Sequence, residues 1–201
     1  MPLIETSAAL LLVWAVIGYL LGSIPFGMVL TRLMGLGNLR DIGSGNIGAT
    51  NVLRTGSKKA AALTLLLDGG KGAVAVLLAR AMAGEDAAQI AGLAAMLGHC
   101  YPVWLRFAGG KGVATYIGLV LALAWPVGLA VCITWLAVAA TSRTSSLAAL
   151  AAAALSTFWM VLLGHGHALV LGALLTLLIF WRHRANIARL RAGTEPKIGQ
   201  K

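Results

Sequence analysis

Long apolar runs make up most of this chain, and its polar residues are gathered between them. The runs cover residues 8–30, 60–82, 87–105, 113–125, 126–140, 146–163 and 168–181. A helix needs about 20 apolar residues to cross a bilayer, so each run reads as a span, the fourth, fifth and seventh being short by that standard. The fourth and fifth meet at Trp125-Pro126. Together they are too long for one crossing, which predicts two helices. The first run follows Met1-Pro2-Leu3-Ile4-Glu5, which lacks a basic leader, and it outruns a signal peptide, so a retained span is expected. The pattern predicts an all-α polytopic membrane protein with about seven transmembrane helices in a single domain over residues 1–201.

Composition agrees. Apolar residues make up 59% of the chain and charged residues only 11%, against about 25% charged in soluble domains. The net charge of +10 belongs to loops facing anionic lipid, since the spans leave no soluble domain to dock on nucleic acid. Cys100 and Cys132 both lie within apolar runs, where packing, not a disulfide, is expected.

Basic residues fix the expected orientation. Seven spans put Arg32, Arg40, Arg54, Lys58, Lys59, Arg106, Lys111, Arg143, Arg182, Arg184, Arg189, Arg191, Lys197 and Lys201 on one side. The other side receives Arg80 with Glu5, Glu85 and Asp86, while Lys71 falls inside a span. The N-terminus is therefore expected outside and the C-terminus in the cytoplasm. Three polar segments then converge on the cytoplasmic face: the loop at 43–54, the loop at 106–112, and the tail after residue 181.

Each segment carries candidate chemistry. In Gly43-Ser44-Gly45-Asn46-Ile47-Gly48-Ala49-Thr50-Asn51-Val52-Leu53-Arg54, glycines let N–H groups converge on an anion. Residues 47–55 read as a short helix closed by Gly56, and a loop feeding a helix N-terminus beside an arginine suits a phosphate. It is no Walker loop, since no Gly-Lys-Ser/Thr follows at the required spacing. Gly109-Gly110-Lys111-Gly112 is a second such loop, its lysine a compact charge for phosphate oxygens. In the tail, His183 and Asn186 are three apart on what reads as a continuation of the last helix, ended by Gly193. An imidazole there can take a proton from a hydroxyl and the amide can orient it.

Two interruptions lie within spans. Gly22-Ser23-Ile24-Pro25-Phe26-Gly27 predicts a kink near the inner end of the first. Asp68-Gly69-Gly70-Lys71-Gly72 places a charged pair at i, i+3 with three glycines, expected as a broken helix opening onto a polar cavity. His99 is expected as a hydrogen-bonded core histidine. His165 and His167 fall in an outer loop, and no zinc spacing joins the histidines and cysteines.

Together these segments resemble the bacterial acyl-phosphate:glycerol-3-phosphate acyltransferases. The likeness is carried, in order, by 22–27, by 43–51 with Arg54, by 68–72, by Gly98-His99 with 107–115, and by 183–187. It implies a seven-helix enzyme of the bacterial inner membrane with its site on the cytoplasmic face. Such an enzyme moves a long acyl chain from acyl phosphate to the 1-hydroxyl of glycerol 3-phosphate, using neither acyl-CoA nor acyl carrier protein. The chain also lacks the His-x4-Asp pattern of conventional glycerolipid acyltransferases. The expected substrate cradle comprises Ser44, Gly45, Asn46, Gly48, Thr50, Asn51, Arg54, Gly109, Gly110 and Lys71, with Lys111, His183 and Asn186 in catalytic roles. No metal or cofactor is expected. The implied partners are membrane lipids and the soluble enzyme that supplies acyl phosphate. The competing class is a transporter of organic phosphate esters, which needs polar groups through the membrane; here they gather at one face.

Overall fold

The computed structural model describes residues 2–199; Met1 of the N-terminal reading and Lys201 of the tail charges lie outside it. Within the described residues all regular structure is helical. The helices are α1 (Ala8–Gly22), α2 (Phe26–Leu33), α3 (Ala49–Val52), α4 (Lys58–Ala83), α5 (Glu85–Cys100), α6 (Val113–Leu123), α7 (Trp125–Ser142), α8 (Ser145–Leu162), α9 (Leu169–Arg182) and α10 (Arg184–Arg191). A helix stands in every predicted run. Four segments are long and apolar enough to cross a bilayer: α1 with α2, α4, α7 and α8; α9 with α10 makes a fifth if counted as one bent span. α5 has 16 residues and α6 only 11. The expected run to residue 105 breaks at Tyr101, and 103–105 form a separate helical turn.

Lipid tails are as apolar as leucine, so helices in a membrane associate through close packing and not through an aqueous hydrophobic effect. Small residues provide that here. α5 is the central helix, packed against α1, α4, α6 and α9. Gly22 of α1 lies so close to α5 that a methyl there would overlap Ala95.

Gly69 and Gly72 of α4 have the same use, which corrects one expectation. Gly69, Gly70 and Gly72 do not break the helix: α4 runs unbroken for 26 residues. A methyl on Gly118 of α6 would overlap the Gly69 carbonyl, and one on Gly72 would come within 2.5 Å of the Thr115 carbonyl oxygen. Gly69 and Gly72 are the surface against which α6 packs, while Gly70 faces open space. Asp68 and Lys71, one turn apart, are buried as an ion pair of 2.7 Å. The Lys71 ammonium also donates to the Ile24 carbonyl at 2.8 Å. That carbonyl stands at the expected interruption, where Pro25 separates α1 from α2.

A second correction concerns the tail. α10 does not continue α9; the two meet at His183 at an angle of 62°. No proline or glycine marks the bend. The chain turns while the His183 N–H is shared between the Ile179 and Phe180 carbonyls, and Gly193 ends the tail helix with φ +70°. Both cysteines are free, as expected.

Candidate active site

The first loop is organised by one side chain. Asn51 is buried, and its amide nitrogen donates to the Leu39, Ile42 and Asn46 carbonyls at 3.1, 3.0 and 2.8 Å. Its oxygen accepts from the Ser44 N–H at 3.1 Å and from Arg54 at 3.3 Å. Gly43, at φ +52°, has Arg54 folded against it; a methyl there would come within 2.5 Å of the arginine Cδ. The short helix is present as expected, α3 followed by a turn over Leu53–Thr55 and ended by Gly56 at φ +90°. The Gly48 N–H is taken by the Asn46 side chain at 3.2 Å and the Gly45 N–H by the Ile42 carbonyl at 2.9 Å. Exposed Ser44 and Thr50 carry hydroxyls at the surface of this loop, Thr50 lying 3.3 Å from the Ser145 hydroxyl.

The second loop folds back on the end of α5. The Gly109 N–H donates to the Cys100 carbonyl at 3.2 Å and that of Gly110 to the His99 carbonyl at 3.0 Å. Their own carbonyls accept from Arg182 at 3.0 Å each. Arg40 reaches from the first loop to both the Gly45 and Ala108 carbonyls. The two loops are thus stitched to each other and to the tail.

Several expected substrate contacts are therefore engaged elsewhere. Asn51 shapes its loop with every polar atom. Gly109 and Gly110 spend their N–H groups on α5, and their absent side chains allow the close approach. Lys71 is buried with Asp68, away from solvent. What remains open is different. The Lys111 ammonium makes no hydrogen bond among the described residues, and the groups whose charge it feels come from the first loop and the tail: Glu195, Arg189, Arg182 and Arg54. Burial brings its pKa down to about 8; Glu195 opposes that fall while the three arginines add to it.

His183 and Asn186 are both buried at the bend. The His183 Nδ1 lies 2.8 Å from the Ile179 carbonyl. Nδ1 must carry the proton in that contact, which leaves Nε2 as a free acceptor. Burial lowers the imidazole pKa to about 4, the Ile179 bond opposing and Lys111 reinforcing it, so the ring is neutral at physiological pH. Asn186 donates to Glu195, and its own oxygen is buried without a hydrogen-bond partner among the described residues.

Glu195 is not among the expected site residues. Its carboxylate accepts from Ser146 at 2.7 Å, from Asn186, and from Arg189 at 2.7 Å. Burial raises its pKa, yet those hydrogen bonds outweigh it and hold the group ionised. The available signal is that Glu195 is the sole carboxylate in the basic stretch after Trp181. Arg182, counted above only among the basic residues that set the orientation, clasps the glycine loop. Ser145 and Ser146 open α8 in a run that otherwise reads only as a span.

The chain and its fold have counterparts in known proteins. The family model described as glycerol-3-phosphate acyltransferase matches residues 12–193. A glycerol-3-phosphate acyltransferase of Ruegeria pomeroyi is 74% identical over all of this chain and 99% of its own. That of Roseobacter denitrificans is 70% identical over 99% of this chain and all of its own. Among solved structures, PlsY (YgiH), an integral membrane glycerol 3-phosphate acyltransferase, superposes in its glycerol 3-phosphate form with a TM-score of 0.89 at 41% identity. That match covers 94% of this chain and 96% of PlsY. Its lysophosphatidic acid form gives 0.86 at 38%, covering 94% and 95%. Fold and matches together make this an integral membrane acyltransferase. The relatives span the chain almost from end to end, motifs included. It belongs to the glycerol-3-phosphate acyltransferase family.

Proposed function

We propose that this enzyme transfers a fatty acyl group from acyl phosphate to the 1-hydroxyl of glycerol 3-phosphate, giving lysophosphatidic acid and phosphate. One observation carries the reading: a Lys111 ammonium with no hydrogen bond among the described residues, feeling the charges of Glu195, Arg189, Arg182 and Arg54, and near it a neutral imidazole whose Nε2 is left as an acceptor. Two phosphate-bearing substrates repel each other, and a cluster of cations offsets that repulsion while holding them together. The PlsY forms with glycerol 3-phosphate and lysophosphatidic acid support the acceptor and the product.

In this scheme the hydroxyls of Ser44 and Thr50 and the Asn46 amide face one phosphate, Gly45 and Gly48 shape the turn that presents them, and Arg54 and Lys111 neutralise charge. Asn51, Gly109 and Gly110 hold the loops in shape. Acyl phosphate is a mixed anhydride, so no covalent enzyme intermediate is needed. The glycerol oxygen bonds to the acyl carbon, and the bond from that carbon to the phosphate oxygen breaks. An imidazole whose conjugate acid has a pKa of about 4 is a weak base. His183 therefore orients the hydroxyl through Nε2, Asn186 fixes the same end of the acceptor, and the proton ends on the departing phosphate.

The distribution of lysine and arginine supports a site on the cytoplasmic side of a bacterial inner membrane, with the N-terminus outside. A soluble enzyme supplying acyl phosphate fits that placement. Purified protein in detergent, given acyl phosphate and glycerol 3-phosphate, is expected to release phosphate only when both are present. Uptake of phosphate esters into vesicles without such release would overturn the reading in favour of a transporter.

A further inference from the structure

Beneath the second loop lies a polar cluster that the proposed chemistry does not use. His99, near the end of α5, is buried. Its Nδ1 has no hydrogen-bond partner among the described residues and stands 3.8 Å from the Asp68 carboxylate. Asp68 is in turn held by Lys71, which donates to the Ile24 carbonyl. The other edge of the ring faces the loop: a methyl added to Gly110 would overlap the imidazole at Nε2. The Gly110 N–H is tied to the His99 carbonyl at 3.0 Å, and from the opposite side Arg182 clasps the Gly110 carbonyl. The residue immediately after Gly110 is Lys111.

We propose that His99 is a positioning residue: its imidazole is the seat on which Gly110 rests, and through Gly110 it sets where the Lys111 ammonium stands. An apolar side chain of that size would fill the space without leaving a buried nitrogen unpaired. The ring's rigid plane, backed by Asp68 and Lys71, fixes a height that a flexible aliphatic chain would not. Misplacing a charged group by an ångström costs binding and orientation, not folding. The proposal rests on the reading of Lys111 as a phosphate contact, and the experiment below separates the two.

Gly110→Ala, His99→Ala, the double variant and Lys111→Ala are compared in detergent, with KM for each substrate, kcat and the thermal unfolding midpoint measured. Lys111→Ala identifies the substrate whose KM the loop controls. For that substrate, Gly110→Ala is expected to raise KM about tenfold or more and His99→Ala about fivefold, with kcat changed about threefold or less. The double variant is expected to bind better than Gly110→Ala alone, because the new methyl enters the space the imidazole left. Two neighbours sharing one space must couple in this way. If the double variant shows the two KM increases multiplied, His99 is not the seat, even where Lys111→Ala confirms the phosphate contact. If Lys111→Ala leaves both KM values unchanged, the phosphate reading falls, and relief of the Gly110→Ala defect in phosphate release still reports on the seat. Should His99→Ala fail to fold, His99→Gln serves. Its side chain is longer than alanine, so in combination with Gly110→Ala it is expected to keep the clash with the added methyl and give no relief. Relief by glutamine as large as that expected for alanine would overturn the proposal.

Discussion

The two ends of α6 carry similar residues in opposite circumstances. Past its C-terminal end, Arg80 donates to the Ala122 and Leu123 carbonyls at 2.6 and 3.0 Å and pairs with Glu85 at 2.8 Å. Nearby, Asp86 accepts from the N–H groups of Glu5 and Thr6 and from the Thr6 hydroxyl. Each charge there satisfies backbone groups that would otherwise stand open. Before the N-terminal end stands Lys111, with no hydrogen-bond partner among the described residues; it feels the charges of Glu195 and of Arg189, Arg182 and Arg54. On the function proposed above, a charged residue is structural where the fold supplies its hydrogen-bond partners, as at Arg80, and chemical where it leaves the group without one, as at Lys111. Counting lysines and arginines along the chain cannot tell those cases apart; their hydrogen bonds can.

The sharpest break of this comparison is Lys111→Ala. It is expected to lower kcat/KM by about 100-fold or more, in line with loss of a preorganised charge from an active site, while the unfolding midpoint in detergent stays put. Full turnover at low substrate would remove Lys111 from the site. Arg80→Met should do the reverse. It strands two carbonyls and Glu85, which lowers stability by about 2 kcal/mol, allowing for partial exposure. Its phosphate release per folded molecule should match the parent; a large loss of turnover would show that the far end is coupled to the chemistry.

The third test is pH. Lys111, with its pKa lowered to about 8, is charged below that pH and neutral above it. Substrate phosphates remain dianionic over the same range, their second pKa being about 6. KM should therefore climb as pH rises through 8, by up to about tenfold per unit, and Lys111→Arg should flatten the climb. A KM that is constant up to about pH 9.5 in the parent, well past that pKa, would sink the assignment. The smallest effect belongs to Asp86→Asn, which keeps one acceptor for the N-terminal segment and should cost about 1 kcal/mol in thermal stability with unchanged kinetics.

What is legible in the chain follows the range of the interactions involved. Apolar runs announce helices because each helix satisfies its own backbone, so a helix stands in each of them. Gly56 and Gly193 end their helices locally and are legible locally. Glycine inside a membrane helix has two meanings, a break or a close contact. Which holds at Gly69 and Gly72 depends on α6, more than forty residues later. The bend at His183 has no proline or glycine to announce it. Glu195 and Arg182 are silent in the sequence because their partners are distant. Ser146 is 49 residues from Glu195, and the Gly110 and Gly109 carbonyls are 72 and 73 residues from Arg182. The motifs give the family away; the contacts that hold them in place are not local.

The brevity of α6 has a consequence for where the reaction happens. Its 11 residues rise roughly 16 Å, about half of a hydrocarbon core some 30 Å thick. A helix of that length, set with its far end at one boundary of such a core, leaves its near end short of the other. On the function proposed above, the glycine loop would then lie within the thickness of the bilayer, where an acyl donor could reach Lys111 with its tail still in the hydrocarbon. The water-soluble acceptor would be the reactant that changes phase.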